Sequence, residues 1–531
     1  MIARNSLIVL LNTVFGALLG FAALKLIAYY MGAGVIGQLD FALGLVTLLS
    51  FVTDMGFHTS HVKKVSEGLA LEEALGFILW FKLLTTLVFL GLGAAFVSFG
   101  LFVQPQVLED VSIPTLIFFL AYQAVRGVQA VGILTFDGLR EIPKSQIALL
   151  IENGVRVILS LLLALAYAAA VYDAGPLRGT FLARALSLWL SGDPSSALAL
   201  AALGGILASA GIAMYYFRKL PVRPVFPKRE TWTSYWQFAK PIFLLYAVGF
   251  FSAQLDRIIV GFFWKDVDVG LLGGASRIAQ LVTLASGALG AVLFPYISEL
   301  HARAEKEKLA KSIELSIRYN SMVILPFAIF VMLFSGPLIR ILLAGPFDAA
   351  QSTLSLLALS TLLHGLMIPI GVTLVAMGHS RVAAHVGLQI SVTTIVGNLL
   401  LVPGATSLYR GWGLSYVGVA WTSLLANTVA IGIYLYYANK HWTVRPYKSV
   451  PLHLGAAVAA NGIAFWIFGA YFGYTRELGV ATLGALGMLV LATYLGILVA
   501  VREFRRSDFL FFRDLFSPSK LGRHLKEELG K

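Results

Sequence analysis

The chain has 531 residues, of which 58% are hydrophobic and 13% charged, and its mean hydropathy is +0.82. A water-soluble domain of this length cannot bury so much apolar surface, so the composition excludes a soluble protein and indicates that the bilayer is the solvent. The net charge of +13 lies mostly between the apolar stretches, where it indicates membrane topology rather than nucleic-acid binding. The absence of cysteine excludes disulfides, thiolate catalysis and cysteine-based metal sites.

The apolar stretches predict an all-α integral membrane protein with about fourteen transmembrane helices. They are continuous and rich in Leu, Ala, Val and Gly, without the alternation that is typical of barrel strands. Residues 172–195 form a long loop in which a short interfacial helix is expected. The predicted spans are 6–31, 36–61, 74–103, 111–137, 145–171, 196–217, 235–263, 270–298, 313–343, 351–377, 382–402, 413–439, 450–471 and 477–501.

The distribution of basic residues predicts the orientation of these helices. With the N-terminus inside, 26 Lys and Arg fall in cytoplasmic segments and six in outer loops. This excess predicts a multi-pass protein of the plasma membrane with both termini in the cytoplasm. The tail, residues 502–531, combines eight basic residues with the apolar run 509–512, and it predicts a basic amphipathic helix that faces anionic lipids.

The chain also repeats internally. The segment KLIAYYMGAGVIGQLDFALGLVTLLS resembles RIIVGFFWKDVDVGLLGGASRIAQLVTLAS, and with one residue added in the turn Lys25 aligns with Arg257 and Gly37 with Gly270. Six spans separate the two copies, which predicts a parallel repeat of two pseudo-symmetric six-helix lobes. The predicted domains are an N-lobe (1–220), a C-lobe (221–440), two further helices (441–501) and the tail (502–531).

Ionisable residues inside the predicted spans are the strongest functional signal, because each costs about 2.5–3.5 kcal/mol at the centre of a membrane helix. Three basic residues lie close enough to cytoplasmic helix ends to reach water by snorkelling. These are Lys82, Lys240 and Arg318. The remaining residues are Lys25, Asp40, Asp54, Arg126, Glu152, Arg156, Asp256, Arg257 and Arg277.

Four cations form the predicted substrate-binding site. Lys25 and Arg257 occupy matching repeat positions, Arg126 lies near the middle of its span, and Arg277 enters from an outer helix end, while Asp40 orients one of the cations. A positive, water-accessible pocket inside the membrane attracts an anion, and Arg and Lys both bind phosphate. The alternative is that these charges pair between helices.

Other charges predict structural contacts. Glu152 and Arg156 lie four residues apart with the acid first, an order that favours a salt bridge on one helix face. Asp256 and Arg257 point about 100° apart, so one can brace the lobe while the other faces the cavity. His58 and His61 have no further ligand nearby, and no metal site, cofactor or enzymatic motif is predicted.

Two segments resemble the polysaccharide-type flippases of the multidrug/oligosaccharidyl-lipid/polysaccharide (MOP) exporter superfamily. DRIIVGFFWKDVDVGLLGGASRIAQLVTLASGALGAVLFPYISEL is similar to the seventh and eighth helices of that family, and YYMGAGVIGQLDFALGLVTLLSFVTDMGFHTSHVKKVSEG to its first hairpin. The resemblance implies two lobes that alternate between inward and outward openings. It implies transfer of a polyprenyl- or dolichyl-pyrophosphate-linked saccharide to the outer leaflet, with membrane lipids and a glycosyltransferase pathway as partners.

The resemblance also assigns residues. Basic residues on the first, second and eighth helices and an Asp on the second face the cavity of related lipid II flippases, and Lys25, Asp40 and Arg277 match three of these places in kind. The second helix here has no Arg or Lys, only Asp54 and the His pair, which argues against a peptidoglycan precursor. The alternatives are a cation-coupled multidrug antiporter, disfavoured by a first helix without Asp or Glu, and a non-transporting membrane scaffold.

Overall fold

A computed structural model describes residues 2–102, 112–139, 141–404, 410–442, 448–474, 478–505 and Asp508. Within these residues the regular secondary structure is helical throughout, as the composition predicted. Of the predicted tail helix, only residues 502–505 and Asp508 are described, and the rest of that prediction lies outside the described residues.

The described residues form seventeen α-helices, which are labelled in chain order. The first nine are α1 (Ile2–Leu49), α2 (Phe57–Ser66), α3 (Leu71–Phe102), α4 (Ile113–Gly138), α5 (Ile142–Val171), α6 (Phe181–Gly192), α7 (Pro194–Phe217), α8 (Arg229–Phe263) and α9 (Asp266–Gln280). The remaining eight are α10 (Leu284–Ala302), α11 (Lys306–Leu333), α12 (Ser335–Leu342), α13 (Gln351–Ala376), α14 (Ser380–Leu401), α15 (Ser415–His441), α16 (Ser449–Phe472) and α17 (Val480–Ala500). Helix α6 lies where the sequence predicted a short helix.

Twelve of the described helical segments are long and apolar enough to cross a membrane, and the protein is therefore a multi-pass membrane protein. They agree with twelve of the fourteen predicted spans. The other two predicted spans are also helical, but they differ in continuity. The span 36–61 is joined to the first through Leu19–Thr53, and the span 270–298 is divided into α9 and α10 by the 3₁₀ turn Leu281–Thr283.

The first predicted hairpin is a kinked helix followed by a break. Within α1, Gly32 has φ +83°, a conformation that only glycine adopts without strain, and it separates the two predicted spans. A 3₁₀ turn over Ser50–Thr53 ends α1, and Met55 and Gly56 both have positive φ before α2 begins. The second predicted span is thus discontinuous. Irregular backbone at membrane depth is tolerated where it is buried in protein or lines a cavity.

Contacts between residues divide the chain into two compact units. The N-terminal unit contains Asn5–Gly273 and Asn398–Tyr416, and in it α4, α5 and α7 pack together while α2 packs against α3, α4 and α8. The C-terminal unit contains Met1–Arg4, Gly274–Gly397 and Val417–Lys531, and its centre is the packing of α11 against α13 and α16. The predicted lobe boundaries at 220 and 440 remain predictions.

Candidate functional site

The repeat found in the sequence has a counterpart in three dimensions inside the N-terminal unit. An ideal Cβ on Gly37 would lie 1.7 Å from the carbonyl oxygen of Asp266, and one on Gly270 would lie 1.9 Å from that of Ala33. Gly37 and Ala33 are the repeat equivalents of Gly270 and Asp266, so the two contacts are reciprocal. Reciprocal contacts between equivalent residues indicate a local pseudo-twofold axis between α1 and α9.

Lys25 and Arg257, the predicted repeat-related cations, have different surroundings. The Lys25 side chain is exposed and has no hydrogen bond or ion pair with any residue that the structure describes. Arg257 is partly exposed, and its Nη1 lies 4.0 Å from Oδ1 of the buried Asp40. At that distance the pair is loose, and the role of Asp40 in orienting a cation stays a prediction.

Arg126 lies at the middle of α4, and its guanidinium is bonded to a phenol rather than to a carboxylate. Its Nη1 donates a hydrogen bond of 2.9 Å to the Tyr122 hydroxyl, which donates one of 2.9 Å to Oε1 of Glu152. Arg126 is itself exposed, and it has no carboxylate within ion-pairing distance in the described part of the chain. The contact therefore leaves most of the five guanidinium N–H donors available.

The predicted salt bridge between Glu152 and Arg156 is wrong. Glu152 is buried and accepts hydrogen bonds from Tyr122 and, at 2.8 Å, from Gln129, while the exposed Arg156 donates to Asn153 at 3.1 Å. Helix α5 packs its Glu152 face against α4, where neutral donors satisfy both carboxylate oxygens. The i,i+4 spacing did permit the pair, but these interhelical partners satisfy the acid instead.

The two remaining predicted residues lie in different units. Asp256 accepts a 2.6 Å hydrogen bond from Asn398 within the N-terminal unit, and which of Asp256 and Arg257 braces the lobe stays a prediction. Arg277 lies in the C-terminal unit, where it is half-buried and interacts with at least one neighbour. The predicted grouping of Arg277 with Lys25, Arg126 and Arg257 in one cavity stays a prediction.

A cluster at the break between α1 and α2 was not assigned as a site from the sequence. The Lys82 side chain is 4% exposed and does not snorkel. Its Nζ donates to the carbonyl oxygen of Thr53 at 2.6 Å and contacts Nε2 of His58, while Nδ1 of His58 lies 3.0 Å from Oδ2 of Asp54. The helix break brings these groups together, and its sequence signal was the closeness of Asp54, Gly56 and His58 within one predicted span.

The structure also gives the surroundings of the other residues to which the sequence assigned no binding role. Lys240 is exposed, in agreement with snorkelling, but Arg318 is 12% exposed and forms ion pairs of 2.7 Å with Glu503 and Asp508. His61 is buried between the Tyr235 hydroxyl and Thr135. No group of three or more potential metal ligands is found in the described ranges.

Comparisons with known proteins agree with this architecture. The family described as "Polysaccharide biosynthesis protein" matches residues 177–352. The chain is 22% identical over 509 residues to the "Probable low-salt glycan biosynthesis flippase Agl15" of Haloferax volcanii, an alignment that covers 94% of this chain and 97% of that protein.

Two solved structures have the same fold. "Lipid II flippase MurJ, inward closed conformation" has a TM-score of 0.67 at 15% identity, over 95% of this chain and 98% of that one. The inward-facing conformation of a multidrug resistance MATE family transporter of the MOP superfamily has a TM-score of 0.57 at 14% identity, over 80% of this chain and 95% of that one. The predicted resemblance is confirmed at the level of the fold. These proteins are flippases and transporters, which agrees with the prediction that this chain is not an enzyme.

Proposed function

We propose that this protein is a flippase that moves a lipid-linked saccharide with an anionic phosphate headgroup from the cytoplasmic to the outer leaflet. The similarity to Agl15 over nearly the whole chain supports a lipid-linked glycan as the substrate class. The MurJ-like fold supports a mechanism that moves a headgroup across the bilayer, with alternating access as its simplest form.

The observation that carries this proposal is the state of Arg126. A guanidinium in the middle of a membrane helix is costly, and a purely structural role would normally supply it with a carboxylate. Arg126 instead contacts the neutral Tyr122 hydroxyl, and the carboxylate of Glu152, which interacts with Arg126 electrostatically, accepts hydrogen bonds from Tyr122 and Gln129. A scaffold in which every intramembrane charge is neutralised would not leave Arg126 in this position.

The other predicted cations support the same chemistry. Lys25 is exposed without a described partner, and Arg257 has a loose contact with Asp40 and an electrostatic interaction with the adjacent Asp256. In the proposal Lys25, Arg126 and Arg257 bind the phosphate oxygens of a pyrophosphate, and Asp40 orients Arg257. Arg side chains suit this role because their planar donors form bidentate hydrogen bonds with phosphate.

The membrane potential gives the direction of transport. An inside-negative potential favours outward movement of an anion by about 2.3 kcal/mol per charge and per 100 mV. A headgroup that keeps net negative charge while bound would thus be driven towards the outer leaflet. The multidrug alternative is disfavoured, because a cationic drug would meet the same positive side chains.

Reconstitution into liposomes tests the proposal. The assay follows the movement of a short-chain, fluorescent polyprenyl-pyrophosphate saccharide between leaflets. Arg126→Ala should abolish transport while the protein still folds and inserts, and Arg126→Lys should retain part of it. Arg381→Ala is the matched control, because Arg381 is exposed and has no partner among the described residues. Equal transport by Arg126→Ala and Arg381→Ala would reject the assigned site.

A further inference from the structure

The cluster at the break between α1 and α2 joins an acid, a histidine and a buried lysine in one chain of contacts. Nδ1 of His58 lies 3.0 Å from Oδ2 of Asp54, and Nε2 of His58 contacts Nζ of Lys82. The Tyr246 hydroxyl donates to the same Asp54 oxygen at 2.5 Å, and Lys82 also donates to the carbonyl oxygen of Thr53 at 2.6 Å. Both nitrogens of His58 are therefore engaged by ionisable groups.

With Lys82 protonated, the geometry fixes where the other protons of the cluster lie. A lysine ammonium can only donate hydrogen bonds, so Nε2 of His58 must be the acceptor in its contact with Lys82. The other nitrogen, Nδ1, then carries the proton and donates it towards Asp54. In this state His58 is neutral, Lys82 is positive and Asp54 is negative, so the cluster has no net charge.

We propose that His58 is a proton-binding site that controls whether Lys82 can bind an anionic phosphate headgroup, an inference that rests on the proposed function. When Nε2 of His58 accepts a proton from solvent, its lone pair becomes an N–H bond and it faces the Lys82 ammonium as a second donor. Only the hydrogen bond between Lys82 and His58 is lost. Nδ1–H keeps Asp54, Lys82 keeps Thr53, and the cluster gains one positive charge.

The groups that surround His58 make its protonation depend on an anion. Lys82 faces it from α3, and Arg126 on α4 is close enough to interact electrostatically with both His58 and Lys82. Asp54 contributes the negative charge and Tyr246 on α8 a neutral hydroxyl. Burial and two cations oppose the added proton, and one carboxylate favours it. A bound phosphate reverses this balance, and by linkage a proton then strengthens phosphate binding by the same factor.

A cavity beside Lys82 indicates which kind of phosphate fits. The cavity has a volume of about 300 Å³ between α3, α4 and α7, and Lys82 lines it together with mostly apolar residues. Three of these, Trp80, Leu83 and Val128, are also exposed on the surface of membrane-spanning helices. A cation at an apolar, membrane-exposed cavity complements a phosphate that carries a hydrocarbon chain better than it complements free phosphate.

The contacts with Lys82 and Asp54 also stabilise the helix break, and a test must leave that role intact. Lys82 satisfies the free carbonyl of Thr53, and Oδ1 of Asp54 accepts the backbone N–H of His58 at 3.2 Å. Neither contact uses the His58 side chain. His58→Gln can retain an acceptor for Lys82 and a donor for Asp54. A glutamine side chain cannot take up a proton between about pH 5.5 and about pH 8.

The experiment measures proton uptake during binding to the full chain in lipid nanodiscs. Calorimetry with geranylgeranyl pyrophosphate, in buffers of different ionisation enthalpy between about pH 5.5 and about pH 8, gives both affinity and protons taken up. We expect proton uptake per bound probe to be greater in the wild type than in His58→Gln, by at most about one proton. Relative to that variant, its affinity should rise by up to about 10-fold for each pH unit of acidification. Lys82→Gln, which can still donate to the Thr53 carbonyl, should bind at least about 10-fold more weakly than the wild type at about pH 5.5 and by a smaller factor at about pH 8, where His58 holds Lys82.

Controls separate the possible outcomes. His385→Gln, at an exposed histidine of α14, should behave like the wild type. Inorganic pyrophosphate should bind more weakly than the prenyl probe, and equal binding would overturn the part assigned to the apolar cavity. Equal proton uptake by the wild type and His58→Gln would overturn the inference, but the proposed function would stand if the prenyl probe still bound. Failure of the wild type to bind that probe at any pH would count against both.

Discussion

A single methyl group added at Gly37 should force α1 and α9 apart. The new Cβ would lie 1.7 Å from the Asp266 carbonyl oxygen, whereas contacts below 3.0 Å essentially never occur. The obstacle is backbone, so no side chain can rotate away, and the helices must separate by more than about 1 Å. Overpacking of this kind costs about 1–3 kcal/mol, which would lower the population of the close contact by about 5- to 150-fold. Gly270→Ala should act equally, because its Cβ would lie 1.9 Å from the Ala33 carbonyl.

The natural absence of cysteine makes this prediction easy to measure. A Cβ on Gly34 would lie 3.8 Å from Cγ2 of Val267, so cysteines at these two positions should form a disulfide across the contact. The assay counts the remaining free thiols by maleimide–polyethylene glycol gel shift after mild oxidation in native membranes. Disulfide formation should be at least about fivefold slower with Gly37→Ala. Gly91→Ala, where no atom lies within 4 Å of the new Cβ, is the control. Equal rates in the two variants would refute the reasoning.

Three further predictions concern stability. Burial alone would raise the pKa of Asp508, but hydrogen bonds from Arg318 lower it to about 2. The pKa of an aspartate in the unfolded chain is about 3.9, so this carboxylate adds about 2 kcal/mol to the free energy of unfolding. That contribution is fully present above about pH 5 and is lost as the pH falls towards about 2. Asp508→Asn should therefore lower the melting temperature in nanodiscs at neutral pH but not near pH 2. The control Asp173→Asn, at an exposed position, should change the melting temperature little. Equal effects of the two variants would exclude the ion pair as the cause. Glu152→Ala leaves two buried donors without an acceptor, so it should lower the free energy of unfolding, measured by denaturant titration, by about 1–3 kcal/mol. Glu152→Gln should lower it less, and equal losses would contradict the hydrogen-bond network. His61→Ala should lower thermal stability without altering the proton uptake on binding, and a changed uptake would place His61 in the proton site.

The spans were predictable because the membrane imposes a simple length and composition on each helix. Twelve predicted spans overlap apolar helices of the structure. The exceptions are breaks: apolar composition does not report whether a helix is continuous. The 3₁₀ turns at Ser50–Thr53 and Leu281–Thr283 lie inside apolar stretches and leave no mark on hydropathy.

The site was less predictable, because a sequence shows which charges enter the membrane but not which partners they meet there. Arg126 was chosen as a candidate from its depth alone. Glu152 was assigned to the wrong partner, because the Tyr122 and Gln129 donors belong to a different helix. Lys82 was discounted because it lies close to a helix end. It is nevertheless held inside the protein by the carbonyl oxygen of Thr53, which is free to accept its hydrogen bond because the neighbouring helix is broken.

The central claim is that the intramembrane cations bind a charged headgroup, and the headgroup itself offers the most direct test. Purified protein in liposomes, with a potential of about 100 mV negative on the side of the substrate, would be given the same saccharide on the same prenyl chain through either a pyrophosphate or an uncharged ether link. The account predicts rapid movement of the pyrophosphate lipid to the other leaflet, accelerated by the potential, and none of the uncharged lipid above the protein-free rate. Equal transport of both lipids, insensitive to the potential, would contradict it.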